Sequence, residues 1–237
     1  MSAFKKTVSA VAVCAAFLAS SQAMAANDLT LKVTGSIAPA ACTPALSGNG
    51  EVAFGSMATS AITNAPTGNS LVQLGTKNVT LTISCDAAAT VGFTMTDNRA
   101  SSAVALSETA YLEKAGMDGT NADGPLYGFG LGLASNGEKI GAYSLVVDSV
   151  NTTADGAEVA VITSDNKGKG WVEKGLQTQL TNGERIMTVA NKGSVTPKLF
   201  EELSMPLKIS AGVQTKSVLG GDAITFDGNA TLSMVYL

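Results

Sequence analysis

An all-β fold, a sandwich or a barrel of short antiparallel strands, is what this 237-residue sequence predicts. Three observations carry that prediction. Apolar and polar residues alternate with period two in several short runs, the mark of half-buried strands. Asn136-Gly137, Asp155-Gly156 and Asn182-Gly183 are dipeptides favoured in tight hairpins, where both central residues need positive φ. Two cysteines, Cys42 and Cys85, remain once an export signal is set aside, and an even pair in an oxidising compartment reads as a disulfide.

The signal comes first. Lys5 and Lys6 supply a positive n-region, Val8 to Ala19 an apolar h-region, and Ala23-Met24-Ala25 the small residues of a cleavage site. The apolar run is too short to span a bilayer. Cys14 lies inside it and has Val13 before it, where a lipoprotein signal wants a small residue. Residues 1–25 are thus expected to leave, and 26–237 to form one domain in the bacterial envelope. Losing two lysines takes the net charge from −4 to about −6. An acidic chain is a poor binder of nucleic acid, which needs clustered Lys and Arg. The chain has no histidine, which removes His-based triads, histidine zinc sites and the commonest general base. No catalytic residue, cofactor or metal is expected, and the protein is read as not an enzyme.

In chain order, Leu29, Leu31, Val33 and Ile37 alternate with polar residues and predict a first strand. Val79, Leu81 and Ile83 predict a strand that delivers Cys85, and Val91, Phe93 and Met95 the next. Ser107 to Lys114 predicts two helical turns. Leu176/Thr178/Leu180 and Ile186/Thr188/Ala190 flank Asn182-Gly183 as a hairpin. Thr196-Pro197 resembles an N-cap with proline at the first helical position, predicting a short helix through Leu203 that Pro206 ends. A membrane barrel would need aromatic girdles; aromatics are 5% of the chain.

Several motifs, taken in order, are familiar. Gly35-Ser36-Ile37-Ala38-Pro39-Ala40-Ala41-Cys42 resembles the first strand of chaperone–usher pilins, with Cys seven positions after Gly. The strand ending at Cys85 resembles that family's second cysteine strand, and Val52-Ala53-Phe54-Gly55 the short strand after the first. Phe129-Gly130-Leu131-Gly132 with Asn136-Gly137 and Ile140 is similar to the central hairpin, and Ala230 to Leu237 to the last strand with its penultimate Tyr. The likeness is closer still to a fimbrial-like bacterial family of unknown function, which shares the Thr96-Asp97-Asn98-Arg99 stretch and the Phe129–Tyr143 region.

The resemblance implies an immunoglobulin-like, pilin-type sandwich with one disulfide and a few helical turns. It implies a groove where a last strand is missing, filled by strand addition. A periplasmic chaperone fills it first; at an outer-membrane usher a neighbouring subunit replaces the chaperone, and the product serves adhesion or a surface fibre. Leu29, Leu31 and Val33 would be the donor strand. Leu232, Met234 and Tyr236 would line the edge that chaperone and donor pair with. Leu29 stands where pilin donors carry Gly, nine residues precede Gly35 in the processed chain, and Ile224 replaces a glycine usual near the C-terminus. The same alternation also suits an ordinary final strand in a complete, self-contained periplasmic sandwich.

Remaining motifs favour plain readings. Gly128 to Gly132 alternates with apolar residues, as in a strand packed closely on a neighbour, unlike a phosphate loop. Asp118, Asn121 and Asp123 match no EF-hand spacing and read as a solvated loop. Trp171 is expected to anchor a core. Glu201 and Glu202 read as a solvated face.

Overall fold

The computed structural model of the protein describes residues 30–38, 40–116, 119–173 and 179–237. The signal 1–25 and Leu29 lie outside the described residues. The chain divides into two units, Met1–Ala38 and Pro39–Leu237. In the first, residues 30–38 make no strand, contrary to the alternation read there. Leu31 and Val33 are each 87% exposed. Alternation shows that a segment suits a pleated surface; a strand also needs an edge to pair with.

The second unit is all-β. Among the described residues it is built from β1 (Cys42–Leu46), β2 (Leu71–Ala89), β3 (Val91–Asp97), β4 (Phe129–Gly130), β5 (Gly141–Val147), β6 (Thr153–Ala154), β7 (Ala157–Glu158), β8 (Ala160–Ser164), β9 (Ile186–Ala190), β10 (Phe200–Gln214) and β11 (Ala230–Tyr236), with one short α-helix, α1 (Lys216–Leu219), and three short 3-10 turns. One antiparallel sheet runs β1-β2-β10-β5-β4, with β6 and β7 beside β10; the other runs β11-β3-β9-β8. The sandwich expected from the sequence is therefore the fold, and among the described residues neither sheet closes into a barrel.

Alternation explains the core. On β2, Val79, Leu81 and Ile83 sit opposite Leu207, Met205 and Leu203 of β10. All six join Val91, Phe93 and Met95 of β3 and Met187 and Val189 of β9 in one buried cluster. Near its start β2 carries a bulge: Ala211 pairs with Gly75 but Gly212 with Gln73, and Gly75 has φ 84°. Glycine tolerates that left-handed backbone without a Cβ clash. Further on, β5 and β10 approach so closely at Gly141 that a Cβ there would lie 2.1 Å from the Gly212 carbonyl oxygen.

Cys42 and Cys85 are disulfide-bonded, as expected, and lie directly opposite each other on β1 and β2. Asp86 donates its N–H to the Ala41 carbonyl (3.0 Å). Residues 41 and 86 therefore form a hydrogen-bonded pair, and the cysteines occupy the next, non-hydrogen-bonded position, where side chains are closer.

Three sequence expectations give way, two of them to sheet and one to a different strand pairing. Thr196 to Leu203 is no helix: Pro197 bridges Ala190, and β10 begins at Phe200. The cap-and-proline signal is local, whereas Phe200, Leu203 and Met205 are buried against partners brought from far along the chain. Pro206 falls inside β10 instead of ending an element. Its carbonyl accepts from Asp148 N–H (2.8 Å), while the N–H it lacks would have served the Asp148 carbonyl. The Thr152 hydroxyl donates there instead (2.7 Å). This is where β5 leaves β10, so a central-strand proline is tolerated at a ladder's end. Ser107 to Lys114 forms bridges, Ser107 with Ala110 and Leu112 with Ala122, and buries Ala110 and Leu112 in a satellite cluster beside Leu106. So short a segment gains little from helix alone. The third case is the Asn182-Gly183 hairpin: β9 pairs with β8 and β3, Leu180 lies outside any strand, and Leu176 and Thr178 are outside the described residues.

Asp155-Gly156 is the tight turn expected, with φ 52° and 74°, joining β6 to β7. The Asp155 carboxylate accepts the Glu201 and Glu202 N–H groups (2.9 and 3.0 Å) where the β2–β10 register shifts between Phe200 and Glu202, and Lys198 Nζ (2.9 Å). The Glu202 hydrogen bond, then that from Lys198, holds its carboxyl down at about 2.

Three outcomes are expected. Replacing Cys42 and Cys85 by Ser opens a loop spanning 43 positions and lowers stability to urea by about 4 kcal/mol on the chain-entropy estimate. Gly141→Ala forces backbone against backbone and costs about 2–3 kcal/mol in the same unfolding measurement. Asp155→Asn costs at most about 1 kcal/mol at neutral pH, since the carboxylate is well solvated. Because folding lowers this pKa, its stabilisation is present above the ordinary carboxylate value. The gap between wild type and variant should close as pH falls from about 4 towards 2.

Candidate functional site: a bare edge beside a half-covered core

β11 pairs with β3 on one side, from Ala230 opposite Asp97 to Tyr236 opposite Val91. Two flanking hydrogen bonds fix which groups face which way. Asn98 donates to the Asn229 carbonyl (3.0 Å) and Leu237 to the Thr90 carbonyl (3.0 Å). Hydrogen-bonded pairs alternate along an antiparallel ladder, so Thr231, Ser233 and Val235 also bond β3. Ala230, Leu232, Met234 and Tyr236 direct their N–H and C=O away from it. No other strand pairs with β11 among the described residues.

Those outward-bonding residues also aim side chains at the core. Ala230, Leu232 and Met234 pack on the main cluster but are only partly buried, whereas Met95 and Phe93, opposite Leu232 and Met234 on β3, are buried. The second lip belongs to β1 and the chain after it. Cys42, Leu46, Val52 and Phe54 are likewise partly buried against the same cluster. Residues 51–55 alternate half-buried with exposed but form no strand, so the short strand read at Val52 to Gly55 lacks a ladder. By the parity set at Ala41 and Asp86, Cys42, Pro44 and Leu46 direct their backbone groups outward, and Pro44 has no N–H to offer. A proline on such an edge removes a donor from any pairing there.

The two lips touch at one end. Cys42 N–H donates to the Tyr236 hydroxyl (2.9 Å) across 194 residues. At the other end, the Thr96–Arg99 stretch anchors the approach to β11. Asn98 Nδ2 donates to Asn229 Oδ1 and to Thr231 Oγ1 (2.9 Å), and Arg99 pairs with Asp227. Asp97 is buried and accepts from Arg99 N–H and Gly130 N–H (2.8 Å each). Beside it, burial and secondarily the Asp97 carboxylate push the Tyr143 phenol well above its usual range, and that ring stacks on Phe129 (centroids 5.2 Å apart).

The structure thus brings Leu232, Met234 and Tyr236 together on one edge and ties Cys42 and Cys85 beside it. Leu31 and Val33 are exposed in the other unit, and Leu29 is outside the described residues. Sequence reasoning missed Ala230 and Pro44 as edge residues; the alternation through 230–236 contained the first, and an X-Pro inside a strand hinted at the second. Gly130 is closely packed as read: a Cβ there would lie 2.3 Å from the Arg99 carbonyl oxygen. Trp171 is half-buried and not a core anchor.

Other chemistry is sparse. A cleft of about 270 Å³ is lined by Leu126, Tyr127, Leu180, Asp165 and Arg185, with the buried Arg185 guanidinium bidentate on Asp165 (2.7 and 3.0 Å). Asn121 accepts from Lys114 N–H (3.1 Å); Asp118 is outside the described residues. Among the described residues, no three acidic or cysteine side chains are grouped to hold a metal ion.

Comparison with known proteins places these features in a family. Residues 31–144, which include the disulfide loop and β1 to most of β5, match the family model described as "Protein of unknown function (DUF1120)". Protein GltF of Escherichia coli (strain K12) is 38% identical to the chain over 99% of each. The uncharacterized protein YhcF of the same organism is 30% identical over 94% of this chain and 95% of its own. No solved structure matches the chain significantly. With relatives this similar along nearly its whole length, the chain belongs to the DUF1120 family.

Proposed function

We propose that this chain is an exported, non-enzymatic, fimbrial-like subunit whose bare β11 edge takes up a strand from outside. A periplasmic chaperone supplies that strand first. At an outer-membrane usher a neighbouring subunit replaces it, and the assembled product serves adhesion or a surface fibre. One observation carries the reading. Ala230, Leu232 and Met234 combine backbone groups that no strand pairs among the described residues with side chains packed, half-buried, on the core.

The physical argument is that each deficiency calls for the same remedy. An unpaired edge is a template for another strand, and half-covered apolar side chains gain free energy when something lies over them. A strand laid along β11 satisfies both at once, which is recognition by strand addition. The exposed Leu31, Val33 and Ile37 supply an apolar alternation of the kind such an edge accepts.

Amide hydrogen exchange on the purified full-length processed chain tests this. Leu232 and Met234 amides should exchange at least about a hundredfold faster than those of Thr231 and Ser233, which bond β3. Co-expression with a strand-donating chaperone should slow them to match. Full protection of Leu232 and Met234 in the isolated monomer would mean the sandwich is complete in itself, and the proposal would be abandoned.

A further inference from the structure

We infer that the Tyr236 hydroxyl bars the seam at its disulfide end, so that an added strand ladders on β11 only over Ala230, Leu232 and Met234. The occupant assumed is the apolar arm of a second copy of this chain, residues 30–38, and in that respect the inference rests on the strand-addition reading above. The bar itself does not.

β1 and β11 belong to different sheets, and the Cys42–Tyr236 hydrogen bond (2.9 Å) joins their free sides. Both of its ends are anchored. Cys42 is fixed by the disulfide and by the Ala41–Asp86 pair next to it, where the Ala41 N–H also bonds Asp86 Oδ1 (2.8 Å). Tyr236 is fixed by its place opposite Val91 and by the Leu237 bond to Thr90. The outward N–H of Cys42, which would otherwise meet an incoming strand, is already used. Pro44, the next outward position, has none. β1 is therefore a poor ladder partner, and an arriving strand finds its hydrogen bonds on β11 until it meets the Tyr236 side chain crossing between the sheets.

A barred seam suits a short apolar partner. Leu31 and Val33 present two exposed side chains at the two-residue spacing of Leu232 and Met234, before Gly35 interrupts the run. Residues on one face of a strand repeat every second position, so two such side chains match two half-covered ones.

The test uses the full-length processed protein, its Tyr236→Phe variant, and two synthetic peptides covering residues 30–34 and 30–38 of this chain. Phe keeps the ring and removes the acceptor. In wild type the two peptides should bind within about twofold of each other. In Tyr236→Phe the longer peptide should bind about tenfold more tightly than the shorter, the worth of one or two further backbone hydrogen bonds. The Cys42 amide should also exchange about fivefold faster in the variant than in wild type. A longer peptide that gains equally in both proteins would overturn the bar. If neither peptide binds either protein, the strand-addition reading fails, and the exchange measurement alone decides. A Cys42 amide that is equally fast in both proteins refutes the bar, and one slowed only in wild type upholds it.

Discussion

The long antiparallel ladder between β2 and β10 is what the rest of the sandwich hangs from. It runs from Phe200 opposite Ala89 to Gln214 opposite Leu71. On its far sides β2 carries β1 and β10 carries β5 and β6. Its register decides which side chains enter the core: a slip of one residue would turn Leu81 and Met205 outward together with every neighbour. Two register shifts absorb the irregularities, one at Gly75 and one between Phe200 and Glu202, leaving the central run from Val79 to Ile83 in step with Leu203 to Leu207. The disulfide acts through this ladder. Cys85 is placed by β2, and only then does Cys42, with the lip it carries, have a fixed position.

Much of this was legible in residues whose meaning is local. Alternation at 79–85, 91–95 and 230–236 marks β2, β3 and β11, the Asp155-Gly156 dipeptide marks a turn, and the even cysteine pair marks the bond. What failed were local signals overruled by distant partners. Thr196-Pro197 has the chemistry of a helix start, yet Phe200 and Leu203 are claimed by β2. Pro206 reads as a stop, yet Thr152 supplies the hydrogen bond that proline cannot. The candidate site divides in the same way. The residues of the β11 edge could be picked out from period two, but their bareness is a property of strand order, which no short stretch encodes. The tie from Cys42 to Tyr236 spans 194 residues and had no signal at all.

The edge is also held stiff at both ends. Asn98 and Arg99 secure residues 227–231, and the hydroxyl of Tyr236 secures the other end. Unpaired strands are usually frayed, because their open side contributes nothing to order. Here the open side is framed, so its geometry is set before any partner arrives. Such preorganisation lowers the entropic cost of association, and it is built from polar contacts between loops and strand ends, outside the apolar core.

The pairing of β11 with β3 has a consequence in time. Asn98 and Thr231 meet across 133 residues, and contacts so distant in sequence are formed slowly, because a long loop must close before they are rewarded. Everything between them can fold first, since β9 and β8 dock on the other side of β3. Until β11 arrives, β3 itself is the outer strand of its sheet, and Phe93 and Met95 lack the cover that Met234 and Leu232 later provide. In any order of assembly in which β11 docks last, the exposed edge is β3, with the apolar Phe93 and Met95 behind it, a stickier edge than the one the finished fold presents.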